Sequence, residues 1–382
     1  MGLLTSQKNI IILPGFFFLQ IGTWICANGQ STRFPSDRDN KIILELNYEP
    51  EKKINLPVKE IEILDARFNQ SYIGISTGTS MIGSEGFRRQ DIVFPVKFDV
   101  YLRDKLNDWF ALNLSSGDKL IILVKKFRTI DNIRKMLISS KRKEVFFLFS
   151  ASFFLQRDQT CFRLGGVDKW YSSDHFTNTQ YLVKKDYNDW LITNVLVHEL
   201  RQIRFVVNEN TVSFSRNEVD IGIKQRFDLP VMGQKIKKGI YRTYQDFLLN
   251  QPSDTSYKVA TLKSRKIVFV DSGGRLLTSS NAWAISDGKM TVFMLGSSFY
   301  EIEVRNNTLR VRTFRKADPK KSVLIVNDLH SMGLVSKKVR RAFAYSDMPD
   351  YLDIDMETGE LFLEELIGPY KLSTLTEAIR EN

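Results

Sequence analysis

The stretch "VFFLFSASFFLQ" (145–156), followed by "RDQ" and then "TCFRLGGVDKW" (160–170), decides how this chain is read. Both runs are long and rich in aromatic and β-branched residues, and only three polar residues separate them. They are therefore expected to form a hairpin. Just upstream, "KLIILVKKF" (119–127) is almost continuously apolar in its first half, as a central strand covered on both faces would be. Before it the period changes. From Asp99, Leu102, Leu106, Trp109 and Phe110 share one helical face, while Arg103, Lys105 and Asp108 share the other, and the helix is expected to stop before Gly117. "LPVKEIEILDARF" (56–68) supplies an opening strand through Val58, Ile61, Ile63 and Leu64. A second helix over about 186–205 carries Ile192, Leu196, Leu200 and Ile203 at helical spacing and is expected to pack on the same sheet. Strands and helices in this order make an α/β or α+β layer.

After Phe227 the text turns polar and basic in "DLPVMGQKIKKG" (228–239), the best domain boundary in the chain. A short helix follows, with Thr243 and Asp246 as a capping pair, Tyr244, Phe247 and Leu248 as its buried face, and Pro252 as its end. From Lys266 a β meander is expected, punctuated by "DSGG", "SN", "DG", "GSS" and "NN". An Asn306-Asn307 turn sets Glu303 opposite Arg310 and Glu301 opposite Arg312. In "NAWAISDGKMTVFML" (281–295), an Asp287-Gly288 turn of two residues sets Ile285 opposite Met290 and Trp283 opposite Val292 on one face, so the segment reads as a hairpin and not as a substrate-gripping loop. A helical segment near 332–344 and a strand pair over about 351–363 complete the reading. The expected fold is α+β: an extended leader (30–55), an α/β-sandwich-like domain (56–228), a linker (229–238) and a β-rich meander domain (239–382).

The first residues bear on location. Lys8, an apolar run from Ile10 to Ala27, and Ala27 and Gly29 at minus three and minus one of a cut before Gln30 form a secretory signal peptide. A retained anchor is the competing reading; Pro14 and Gly15 interrupt the run and no basic stop-transfer cluster follows. No other stretch is long and apolar enough to span a bilayer, so no transmembrane span is expected in the mature chain. Cys26 leaves with the signal, and Cys161 then has no disulfide partner within the chain, so it is expected to be a small buried hydrophobe. The net charge of +11 is spread over "KKFR" (125–128), "KRK" (141–143), "KIKK" (235–238) and "KKVRR" (337–341). Such scattered groups do not make the coherent stripe that nucleic acid requires; they are solvated faces or weak attractors of anionic envelope surfaces or glycans.

Three motifs invite a catalytic or metal reading. "HELRQ" (198–202) has a histidine followed by a glutamate, but the fourth position after His198 is Gln202, and only His175 and His330 remain to help. "GTSMIGSEG" (78–86) has the glycines of a phosphate loop without its lysine, and Ser80 misses a nucleophile elbow by one residue. "DIDMETGELFLEE" (353–365) puts Asp353, Asp355, Glu357 and Glu364 at calcium-loop positions, but Thr358 stands where that loop needs glycine. The alternation of Leu352, Ile354 and Met356 with the acids favours a strand turning at "ETG". No catalytic, metal or cofactor residue is singled out.

"ANGQ" at the signal's end, "IEILDARFNQSYIG", "GIYRTYQDFLLNQPSD", "NAWAISDGK" and "YLDIDMETGEL" together resemble uncharacterised exported proteins of the Bacteroidota. The opening strand, helix and strand also resemble small envelope lipoproteins of the YajG and transport-auxiliary types, from which this chain departs because Ile25 precedes Cys26 where a lipobox needs a small residue. The expectation is an exported protein, periplasmic, outer-membrane associated or extracellular, that binds or builds without catalysis. The competing expectation is a hydrolase of glycans or peptides with its site between the domains.

Overall fold

A computed structural model describes residues 11–12, 41–50, 53–78, 88–134, 142–172, 187–261, 267–296, 298–305, 307–312 and 351–362. The chain runs through β1 (Ile11–Ile12), β2 (Lys41–Ile43), β3 (Ile54–Leu56), β4 (Glu60–Asp65), β5 (Gly74–Gly78), β6 (Arg88–Val93), α1 (Phe98–Trp109), β7 (Phe110–Leu112), β8 (Lys119–Arg134), β9 (Arg142–Arg157), β10 (Thr160–Ser172), α2 (Tyr187–Arg201), β11 (Ser213–Ser215), α3 (Arg216–Phe227) and α4 (Pro230–Gly233). It continues through β12 (Gly239–Tyr241), α5 (Tyr244–Leu248), β13 (Tyr257–Thr261), β14 (Ile267–Asp271), β15 (Ala284–Ser286), β16 (Thr291–Leu295), β17 (Ser298–Arg305), β18 (Thr308–Arg312) and β19 (Tyr351–Asp353). The molecule is mixed α+β and rich in strand.

The hairpin at 145–170 is present: β9 and β10 are antiparallel, Arg157 pairs with Thr160, and Asp158 turns the chain with φ of 52°. Among the described residues, β9 and β10 lie in an eight-stranded sheet of order β11-β10-β9-β8-β5-β6-β2, with β4 also paired to β8. The first part of β8 pairs in parallel with β4 and its later part with β5. Both helices expected from the sequence pack on one face of this sheet, where Leu102, Leu106 and Trp109 of α1 and Leu191, Ile192 and Leu196 of α2 meet Phe147, Phe149 and Phe153.

The register of β8 against β9 shifts between Val124 and Lys126. Strand side chains alternate, so without this bulge Lys126 and Arg128 would follow Ile122 and Val124 into the aromatic core. One inserted residue reverses the parity. Phe127 enters the core instead, edge-on to Phe98 and Phe147, and Lys126 and Arg128 turn to the opposite face.

Three expectations need correction in detail. Helix α1 stops before Gly117, but already at Trp109 and without a glycine cap, because Phe110 is extended and pairs with Ile54 in a parallel ladder. The turn between β15 and β16 is longer than two residues: Ser286 pairs with Thr291, and the Asp287 carboxylate accepts the N–H groups of Lys289 and Met290, which stabilises the wider loop. Ile285 therefore faces Val292, and Trp283 leaves that face to pack against Tyr244, Phe247 and Phe293 with its indole N–H donating to Gly359 O. The expected Glu303 and Arg310 pairing is present in the register of β17 and β18, and Arg312 bonds Glu301.

Residues 41–48, expected to belong to an extended leader, are tied to the first sheet and its helices. β2 pairs in parallel with β6, the Leu46 N–H donates to the Tyr101 hydroxyl, and Asn47 and Tyr48 N–H groups donate to Asp189. Residues 229–238 likewise pack, with Val231 buried beside Phe247 and with Leu229, Met232 and Phe68 against the same cluster. Among the described residues, that cluster belongs to a six-stranded antiparallel meander of order β12-β15-β16-β17-β18-β19, while β13 and β14 form a smaller sheet with β1. The α5 capping box of Thr243 and Asp246 is present. The helical segment expected near 332–344 lies outside the described residues.

Candidate functional site

The face of the first sheet that carries Lys126 and Arg128 meets the strand and turn at 353–359. Asp353 ends β19 and is 2% exposed. Its carboxylate takes Arg128 Nη2 at 2.6 Å and Arg310 Nε at 3.0 Å, and the Tyr72 hydroxyl donates to it. Arg128 comes from the central strand of one sheet and Arg310 from β18 of the other, so one carboxylate joins the two. Two residues on, Lys126 Nζ bonds Asp355 at 2.8 Å and Glu357 at 2.9 Å. Glu357 also pairs with Arg226 of α3, whose guanidinium donates to Ala66 O and lies over the Phe68 ring.

Local sequence explains this placement. Asp353 and Asp355 alternate with Leu352, Ile354 and Met356, which are buried in the meander core, so the acids project toward the first sheet. Gly359 closes the turn with φ of 76°, and a Cβ there would run into the Tyr244 side chain. The Asp355 carboxylate accepts the Glu357 N–H and holds the same turn.

Electrostatics follow the geometry. Burial works against the charge of Glu357, but Lys126 and Arg226 outweigh it and hold its carboxyl below the ordinary range. Burial also opposes the charge of Lys126; its hydrogen bonds to Asp355 and Glu357 prevail and raise its pKa. Desolvation, reinforced by Asp355 and Glu357, pushes the Tyr244 phenol up, so it stays a neutral donor to Met356 O. The space left between these groups is about 60 Å³, room for about two waters at about 30 Å³ each. Beside it opens a wider cleft of about 210 Å³ that includes Asp168, Lys169, Trp170, Asp355 and Glu360.

The motifs singled out in the sequence fare unequally. Asp353, Asp355 and Glu357 come together, as partners of arginine and lysine and with a chain that turns at "ETG"; Glu364 lies outside the described residues. His198 is half-exposed on α2, 3.9 Å from Glu199, which is held by the Tyr171 hydroxyl and Lys169. His175, His330 and the glycine-rich segment 79–87 lie outside the described residues. Cys161 is fully buried, and burial pushes its thiol up. Among the described residues no three His, Cys, Asp or Glu side chains are grouped to hold a metal ion, and no helix is long and apolar enough to cross a membrane.

The ion network itself was not anticipated from the sequence. Its signal is present in hindsight: "KKFR" places charge in a strand that otherwise reads as buried, and "DIDME" alternates acids with core residues. The two halves stand 225 residues apart in the case of Arg128 and Asp353, and nothing local pairs them.

The fold and site define a strand-rich α+β protein whose sheets are joined through a buried ion network. Comparison with protein-family models, with curated proteins and with solved structures finds no match.

Proposed function

We propose that this is an exported protein of the cell envelope, periplasmic, outer-membrane associated or extracellular, that acts as a non-catalytic binding or structural protein. In this reading residues 1–29 are a removed signal peptide, 30–55 a leader, 56–228 an α/β-sandwich-like domain, 229–238 a linker and 239–382 a β-rich meander domain. Its partner is an envelope protein, an anionic surface or a glycan, and not nucleic acid.

The observation that carries the reading is the neutralised junction between the sheets. Proton transfer near neutral pH calls for a carboxyl raised toward pH 7 or a base free to receive. Here Glu357 is held down, Asp353 is locked between two guanidinium groups, and the remaining space is about 60 Å³. These groups hold two surfaces together. Export rests on the N-terminal pattern of Lys8, the apolar run and Ala27-Asn28-Gly29.

A deciding experiment expresses the full chain in a Gram-negative host, fractionates the cells, and cross-links the envelope with the protein as bait. The expected result is a chain beginning at Gln30 in the envelope fraction with a stoichiometric envelope partner. An unprocessed chain in the cytoplasm would overturn the proposal. A second reading, a hydrolase of glycans or peptides, is favoured by Trp170 beside Asp168 and Glu360 in the wider cleft. It requires turnover of peptidoglycan or peptide fragments that is lost in Asp168→Asn or Glu360→Gln.

A further inference from the structure

The loop between α4 and β12 carries Lys235, Lys237 and Lys238, all exposed. Because Gly239 pairs with Ser286, this loop runs beside the turn that holds exposed Lys289. A Cβ added at Gly288 would lie 3.9 Å from both Lys238 Cβ and Ile236 O. Among the described residues none of these four lysines takes part in an ion pair. The neighbouring Asp287 carboxylate is turned back onto its own loop by the Lys289 and Met290 N–H groups.

The loop is held from beneath. Asn250 is fully buried, with φ of 52°. Its Nδ2 donates to Lys235 O at 3.0 Å, and its Oδ1 accepts the Lys237 N–H at 2.9 Å. The Tyr241 hydroxyl, fully buried, lies 2.8 Å from Lys237 O and 2.9 Å from Asn250 Oδ1. The backbone of the loop is therefore satisfied inward while its ammonium groups project outward. A fixed corner of like charges repels itself, and a flat, multivalent array of negative charge relieves all four at once.

We propose that this corner, Lys235, Lys237, Lys238 and Lys289, docks the protein on an anionic phospholipid bilayer through headgroup phosphates. The charges sit on a surface loop and a neighbouring turn without an arginine fork to clasp a single phosphate, whereas a bilayer meets them together. This inference names the anionic surface of the envelope reading and rests on it only for which membrane is encountered.

The test is co-sedimentation of the chain, as processed by its host and with its N-terminus read by mass spectrometry, with phosphatidylglycerol-containing vesicles and with phosphatidylcholine vesicles. Binding is expected to the first and not the second, and to be released at about 1 M salt, where screening falls to about 3 Å. Changing all four lysines to glutamine is expected to weaken binding several-hundred-fold, at roughly fivefold per lysine. The control variant Lys41→Gln, Lys53→Gln, Lys59→Gln and Lys224→Gln removes the same charge from exposed positions elsewhere and is expected to stay within about fivefold. Equal loss in both variants, binding blind to headgroup charge, or binding to a soluble anionic polysaccharide with none to vesicles would each overturn the proposal. An N-terminus other than Gln30 with vesicle binding intact would overturn the processing step alone.

Discussion

Asp353 is a buried anion between two buried cations. Taking such charges out of water is costly, and the arrangement is tolerable because Arg128, Arg310 and the Tyr72 hydroxyl all reach the same carboxylate. Replacing it by asparagine keeps the shape and removes the one negative charge that Arg128 and Arg310 share. Asp353→Asn is expected to destabilise the protein by about 3–5 kcal/mol in urea unfolding; a loss under about 1 kcal/mol would mean that water already solvates the cluster. Asn250 poses a smaller version of the same problem. Asn250→Ala loses its bonds to Lys235 and Lys237 and places a Cβ residue without a local acceptor at positive φ. A loss of about 1–3 kcal/mol is expected, measured the same way.

At the scale of elements, the bulge in β8 and the turn at Gly359 are complementary. The first presents Lys126 and Arg128 and the second presents Asp355 and Glu357. Gly359→Ala is expected to cost more than about 2 kcal/mol, since φ of 76° disfavours alanine and the new Cβ would press on the backbone-facing side of Tyr244. Thermal unfolding of that variant, with near-ultraviolet circular dichroism on the aromatic cluster, reads it directly.

On the same face, β4 is joined to α3 through Glu62. Hydrogen bonds from Arg216 hold the Glu62 carboxyl below its ordinary range, against the desolvation that raises it. A depressed folded-state pKa contributes stability that is present above the unfolded value near 4.3 and is lost as pH falls through the folded value. Glu62→Gln is therefore expected to cost about 1 kcal/mol at pH 7, with the gap to the parent protein closing below about pH 4. A gap that does not change with pH would assign the effect to packing.

For the whole molecule, the two large sheets share more than charge. Phe68, from the loop between β4 and β5, packs into the meander's core beside Val231 and Met232, and edge-on to Phe227 of α3. Buried ion pairs, apolar contacts and a packed connection together predict cooperative unfolding. Fluorescence and far-ultraviolet circular dichroism are expected to give coincident urea transitions in the parent protein. Combining Phe68→Ala with Asp353→Asn is expected to separate them. Coincidence that survives the double variant would show that other contacts couple the sheets.

The division between what the sequence determined and what tertiary structure decided follows the range of the interactions. Period and punctuation act over a few residues, and those features are legible: the 145–170 hairpin, the apolar faces of α1 and α2, the Thr243 capping box, and the pairing of Glu303 with Arg310. Each depends on neighbours within a turn or across one tight loop. The helix end at Trp109 was not legible, because the strand that takes Phe110 lies more than fifty residues upstream. The width of the 287–290 loop turned on which backbone groups the Asp287 carboxylate would choose. The candidate site was hidden for the same reason in stronger form. Lys126 and Arg128 read as a wet face, and so do Asp353, Asp355 and Glu357. Only the fold reverses the parity of one strand, brings the two charged faces together and takes both out of water, because neither segment records locally which distant charge it will meet.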